Sequence, residues 1–114
     1  NHWYDPNNSA SIAARKKTEA AGKHFNYEVF LAYTAMKFTA DAIERAGSSD
    51  REKITEAMAS SNWSGHFMPY GQTKMVNGQN MGAQPLATQV LGKEIEVIAP
   101  SKYATAKALF PRPA

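Results

Sequence analysis

The sequence predicts an α/β chain: three helices followed by a small antiparallel strand and hairpin region. Three observations lead there. The segment from Tyr27 to Ala46 carries apolar side chains at helical steps and stops at Gly47. After Ser60 the helical period is lost, and two glycines and a proline appear within residues 62–71. Asn77-Gly78 and Gly92-Lys93 then sit between short strand-like segments, as tight hairpin turns do.

Taken in order, residues 1–9 read as an extended lead-in and a turn. Pro6, Asn7 and Asn8 supply turn chemistry and Ser9 a cap. A first helix follows from about Ala10 to Ala21, rich in Ala and charge, with Gly22 as its stop. Ile12 is its one strong apolar residue, so it is expected on the surface with small residues facing inward. In the second helix, Val29, Tyr33, Met36, Ala40 and Ile43 form one stripe. Phe30, Leu31, Ala32, Ala35 and Phe38 widen it, leaving Thr34, Lys37, Asp41, Glu44 and Arg45 as a polar strip. A helix this apolar is normally covered on several sides.

Ser49 followed by Glu52 has the spacing of a capping box and starts a third helix, about Asp50 to Ser60, with Ile54 and Met58 inward. Residues 62–71 read as a loop with room for a short strand. Thr73 to Val76 is strand-like, and Asn80 to Pro85 is loop. Leu86 to Leu91 and Glu94 to Ile98 form a hairpin that Pro100 ends, and Tyr103 to Leu109 reads as a short helix.

Composition bounds the function. Length of 114 residues makes one ordinary domain or part of a larger one. Hydrophobic residues are 43% and charged residues 20%, the balance of a folded chain. No apolar run approaches the roughly 20 residues of a membrane helix. A net charge of +3 and a pI near 9.2 raise nucleic acid as a partner. The surplus is small, however, and its only tight cluster, Arg15-Lys16-Lys17, reads as a solvated helix face. No nucleic-acid partner is expected. Without cysteine there is no disulfide framework, Cys-based zinc site or thiol nucleophile. The chain begins at Asn1 and shows no signal-peptide pattern, so its start is expected to come from processing or cutting.

Catalytic signals are absent. His2, His24 and His66 are far apart, lack a two-His helical spacing and read as surface or loop residues. No Ser stands in a Gly-x-Ser-x-Gly elbow, and no phosphate loop is present. Asp41, Glu44, Asp50 and Glu52 read as helix-surface and capping charges, while Gly78, Gly82 and Gly92 read as turn glycines. The expectation is a protein that is not an enzyme, with no catalytic residue, metal or cofactor.

Aromatic residues say more. Trp3, Tyr4, Phe25, Tyr27 and Phe30 crowd the start of the second helix. Aromatics with a polar handle line small-molecule sites, and a helix N-terminus offers N–H groups to a carboxylate. The other reading is plain core, which is favoured for Phe30 and stays open for Tyr27. The second helix also has more apolar surface than helices one and three and a small sheet can cover. Either the chain associates with itself, or it is part of something larger.

Tyr27-Glu-Val-Phe-Leu-Ala-Tyr-Thr-Ala-Met, followed by Ala42-Ile-Glu-Arg-Ala-Gly-Ser-Ser-Asp-Arg-Glu-Lys-Ile, resembles a segment of periplasmic solute-binding proteins of the branched-chain amino-acid type, which feed ABC importers. Pro69-Tyr-Gly-Gln-Thr-Lys-Met-Val-Asn-Gly-Gln-Asn is similar to that family's strand and Asn-Gly turn. Ala87-Thr-Gln-Val-Leu-Gly-Lys-Glu-Ile-Glu-Val-Ile-Ala-Pro is similar to its late hairpin. Tyr103-Ala-Thr-Ala-Lys and the Phe110-Pro-Arg-Pro ending resemble its C-terminus. The motifs keep the family's order over nearly the whole chain, yet family members are much longer, and the likeness is to their final third.

The resemblance implies the C-terminal portion of a two-lobed type I periplasmic binding protein, with its ligand closed in a cleft at the hinge. Residues 1–114 would be a single partial domain: a helical half about 10–60, a strand-rich half about 66–99 and a C-terminal tail 100–114. The segment would begin near the last pair of lobe crossings, its helices would pack on one lobe's sheet, and the tail from about Lys93 would return toward the other lobe. One family ligand contact lies in the loop before the long helix, often as an aromatic. Carried over, it falls on Phe25, Asn26, Tyr27 and Glu28, with Glu28 near the aromatic position. A Glu there favours a cationic or hydroxylated ligand over a plain aliphatic amino acid. The implied partners are a small polar solute such as an amino acid, the importer's membrane permease and the remainder of the same polypeptide. The implied location is periplasmic, or extracellular and membrane-associated. The competing expectation is a stand-alone interaction module that oligomerises through the second helix and takes no small-molecule ligand.

Overall fold

The structure is a computed structural model that describes residues 5–111. The lead-in with His2, Trp3 and Tyr4 and the final residues of the Phe-Pro-x-Pro ending lie outside the described residues. The chain is mixed α/β. Helices α1 (Ser9–Ala20), α2 (Tyr27–Ala46) and α3 (Arg51–Ala59) precede strands β1 (Asn62–Trp63), β2 (Thr73–Val76), β3 (Gln79–Asn80), β4 (Ala87–Leu91) and β5 (Glu94–Ala99). A single 3-10 turn, Ser101–Tyr103, follows. Strands β1, β2 and β3 form one antiparallel sheet in that order, and β4 and β5 pair separately as a hairpin. The chain divides into two compact units: Glu28–Gln84 forms one, and the residues through Tyr27 together with those from Pro85 onward form the other.

In the flanking unit, α1 is capped one residue earlier than the sequence led us to expect. The Asn8 side chain, not Ser9, accepts from the N–H groups of Ala10 at 3.0 Å and Ser11 at 3.2 Å. Both residue types cap well, and the chain geometry selects Asn8, which has extended backbone. Ser11 is the buried residue of α1, and its hydroxyl accepts from the Asp5 N–H. A buried hydroxyl needs such a partner. Strand β5 buries Val97 completely.

The tail is not the helix expected over Tyr103 to Leu109; only Ser101–Tyr103 makes a turn. Its polar groups bond to the hairpin instead. The Thr105 N–H donates to the Val97 carbonyl, and the Thr105 hydroxyl accepts from the Val97 N–H at 2.9 Å. The same hydroxyl also bonds to the Glu96 carboxylate. Helix formation would withdraw the Thr105 N–H from the strand that it serves.

In the middle unit, Asn77 and Gly78 both take positive φ, 50° and 78°, as a type I′ turn between β2 and β3 requires. Helix α3 is capped by Asp50, whose carboxylate accepts from the N–H groups of Glu52 and Lys53, both at 3.1 Å. The expected Ser49 capping box gives way to this acidic cap, which the helix dipole favours.

Helix α2 has the bounds read from the sequence, but its packed face differs. It buries Phe30 and Ala42, with Thr34, Phe38 and Asp41 half-buried between them. Part of the presumed polar strip therefore faces inward, because its polar groups find partners there. Thr34 bonds back to the Phe30 carbonyl. Arg45 pairs with Asp41 at 2.8 Å and donates to the Ala57 carbonyl at 2.7 Å and the Ser61 hydroxyl at 2.6 Å. Phe67 completes this core, with its ring 4.7 Å from Phe30 and 5.0 Å from Tyr33. The stripe expected to be core lies open: Met36 is 72% exposed, Tyr33 46% and Ile43 41%.

Candidate functional site

The four residues expected to contact a solute sit at the start of α2, where the chain passes from one unit to the other. Phe25 is buried at 3% exposure and Asn26 is half-buried. Tyr27 is 50% exposed, and Glu28 is exposed. Being consecutive, they form one cluster by necessity. Tyr27 and Glu28 are the pair that presents side-chain surface, and Glu28 adds negative charge in the first helical turn, where the dipole favours it.

A second feature, not anticipated from sequence, lies wholly within the middle unit. A pocket of about 250 Å³ opens between α2 and the three-stranded sheet. Leu31 and Phe38 of α2, Trp63 of β1, Met75 of β2, and Met68 and Tyr70 of the intervening loop give it apolar walls. Phe38 and Trp63 hold their rings 5.5 Å apart.

Hydrogen bonds link the Tyr70, Thr73 and Asn80 side chains at this pocket. The Tyr70 hydroxyl bonds to the Thr73 hydroxyl at 3.2 Å and accepts from the Asn80 amide at 3.1 Å. The Asn80 carbonyl oxygen accepts from the N–H groups of Lys74 at 3.1 Å and Gly82 at 3.0 Å. Asn80 thus fastens β2, the Tyr70 loop and the turn at Gly82 together. Such a site can take an apolar group.

His66 lies in a loop, as its sequence context implies, but its ring is half-buried and packs behind these walls. Its ring lies 5.4 Å from Trp63 and 4.5 Å from Tyr70. Nδ1 accepts from the Met68 N–H at 3.2 Å. The neutral ring therefore carries its proton on Nε2, which is buried without a hydrogen bond of good geometry. Burial pushes the His66 pKa below its ordinary 6.5, and a backbone contact with Gly71 only partly opposes this. One signal was present in the sequence: residues 63–70 contain Trp, His, Phe and Tyr in a single loop, an aromatic density that a purely exposed loop does not need.

Among the described residues, no group of three or more His, Asp or Glu side chains could hold a metal ion. Among the same residues, no helix is long and apolar enough to cross a membrane. Compared with protein-family models, the chain matches none, and no curated protein is similar to it.

Proposed function

We propose that the chain is the C-terminal part of a solute receptor of the type I periplasmic binding class. It would bind an amino acid or similar small polar solute in the receptor's cleft and deliver it to the membrane permease of an ABC importer, with no chemical step of its own. The observation that carries this reading is the open apolar face of α2. Met36, Tyr33 and Ile43 together expose more apolar surface on one helix than an isolated unit keeps without a reason. A receptor lobe whose sheet lies against that face supplies the reason. The order of the sequence motifs supports the reading. So does the division of the chain, which leaves one unit at Tyr27 and returns to it at Pro85, as a chain threading two lobes does.

In this reading Tyr27 offers ring and hydroxyl to the solute, and Glu28 offers a charge-assisted hydrogen bond to an ammonium or hydroxyl group. The test is a thermal-shift and calorimetric screen of the complete protein against amino acids and polyols, followed by Tyr27→Ala and Glu28→Gln on the best ligand. Loss of one charge-assisted bond weakens affinity about tenfold or more. Unchanged affinity in both variants removes these residues from the site. Oxidative footprinting of Met36 reads the carrying observation directly, since Met36 is protected in the complete receptor. A reactive Met36, together with concentration-dependent association of a stable chain of this length, favours the oligomerising module instead.

A further inference from the structure

We propose that His66 is an acid-sensitive latch on the apolar pocket of the middle unit: gaining a proton at Nδ1 releases the loop that carries the pocket walls Met68 and Tyr70. This inference does not depend on the solute-receptor reading.

The geometry supplies the trigger. Nδ1 accepts the Met68 N–H, and only an unprotonated nitrogen accepts. A proton there turns the acceptor into a donor facing a donor. The bond is lost, and the Met68 N–H must find another partner. Nε2 gives little compensation, because it is buried and has no acceptor in good bonding geometry.

The surroundings stabilise the cation only weakly: the Gly71 backbone favours it, and the cost of burial outweighs that. On either side stand the rings of Trp63 and Tyr70. The Tyr70 phenol is held by Thr73 and Asn80. On β2, Lys74 pairs opposite Asn62 and not opposite Trp63. On α2, Lys37 lies over the Tyr33 ring, and Asp41 is paired with Arg45. Neither ion pair among the described residues includes His66. Ring faces attract a cation weakly, by about 0.5–1 kcal/mol at partly exposed sites, and they do not restore the lost bond. The downward displacement of the His66 pKa has the sign this environment dictates.

The output follows from chain connectivity. His66 and Met68 are two residues apart, and Met68 and Tyr70 both line the pocket. Tyr70 also ties the loop to Asn80. Freeing the Met68 N–H loosens two pocket walls at once, so the walls are held in place around neutral pH and become mobile in mild acid.

The test uses the complete protein labelled with ¹³C on methionine methyls and histidine rings, titrated from about pH 8 to about pH 5. The His66 resonance is identified by its loss in His66→Gln, and the Met68 methyl by its loss in Met68→Leu. The expected result is a His66 midpoint below 6.5 and a Met68 methyl that moves with the same midpoint, while the Met36 methyl stays fixed. In His66→Gln the Met68 methyl should not respond to pH. A His66 midpoint at or above 6.5, a Met68 methyl that ignores the His66 titration, or an unchanged Met68 response in His66→Gln overturns the proposal. If the Gln variant does not fold, hydrogen exchange of the unmodified protein decides. Protection at the Met68 amide, corrected for intrinsic rates, should fall by up to tenfold per pH unit as the pH drops from about 6.5 toward the His66 midpoint, and level off below it. Constant protection overturns the latch.

Discussion

Gln89 holds Leu109 by both halves of its backbone. The Gln89 side-chain amide donates to the Leu109 carbonyl and accepts from the Leu109 N–H, each at 2.9 Å. The side chain thus imitates a paired strand and fastens the tail to β4. With Thr105 bonded to Val97 on β5, the tail is fixed at two points, one on each strand.

Removing the Gln89 clamp should free the tail without unfolding the hairpin. Gln89→Leu keeps the volume and loses two bonds, each worth about 0.7 kcal/mol. Tail opening should rise about tenfold. Trypsin cleavage after Lys107 reports it, and a rate unchanged from the parent protein would refute the clamp.

Helix α3 depends on Asp50. Asp50→Ala should cost about 1 kcal/mol, whereas Ser49→Ala should stay within about 0.5 kcal/mol. Denaturant midpoints of the two variants separate the acidic cap from a serine capping box. Equal losses would restore Ser49 to the role its spacing implied.

Arg45 should be irreplaceable by lysine. Its guanidinium reaches Asp41, the Ala57 carbonyl and the Ser61 hydroxyl together, and the last of these belongs to a buried residue. An ammonium group cannot span three such directions. Arg45→Lys and Arg45→Met should both cost about 2 kcal/mol, read by thermal unfolding. Full stability of the Lys variant would show that charge alone matters there.

Gly82 is required by contact. A Cβ at this position would stand 1.8 Å from the Gln72 carbonyl oxygen. The neighbour is backbone, so it cannot swing aside. Gly82→Ala should lose about 3 kcal/mol, near the upper end for overpacking. Gly71→Ala, where a Cβ meets nothing within 4 Å, should be near neutral. The pair compared by urea unfolding settles the point.

The sequence revealed elements that have strong local causes. Helix α2 was readable end to end because its apolar residues recur at helical steps throughout and Gly47 follows it. The β2–β3 turn was readable because Asn-Gly tolerates the positive φ that such a turn demands. Both caps were misplaced by one residue, Ser9 for Asn8 and Ser49 for Asp50, because neighbouring cap-formers differ only in the conformation that the chain gives them. The tail misled because Ala and Lys favour helix, whereas the partners of Thr105 and Leu109 lie on strands far along the chain.

Site features divide in the same way. Phe25, Asn26, Tyr27 and Glu28 were visible as a cluster because they are consecutive, but the burial of Phe25 is a tertiary property. The pocket was hidden because it needs α2, β1, β2 and the Tyr70 loop at once. The Arg45 clasp was hidden because only folding reveals that Ala57 and Ser61 lie within its reach.

The division of the chain has a consequence for how it is made. The unit from Glu28 to Gln84 is one unbroken stretch, while its companion is completed only by residues after it. A ribosome releases the chain from its N-terminus, and units fold as they emerge. Everything the unbroken unit needs has been synthesised before Pro85, including the Asp50 cap, the Asn80 fastener and the Arg45 clasp. The β4–β5 hairpin, which the companion unit requires, arrives later. The unit that contains α1 is therefore complete only after an entire neighbour has been synthesised. The order of assembly is written in the order of translation.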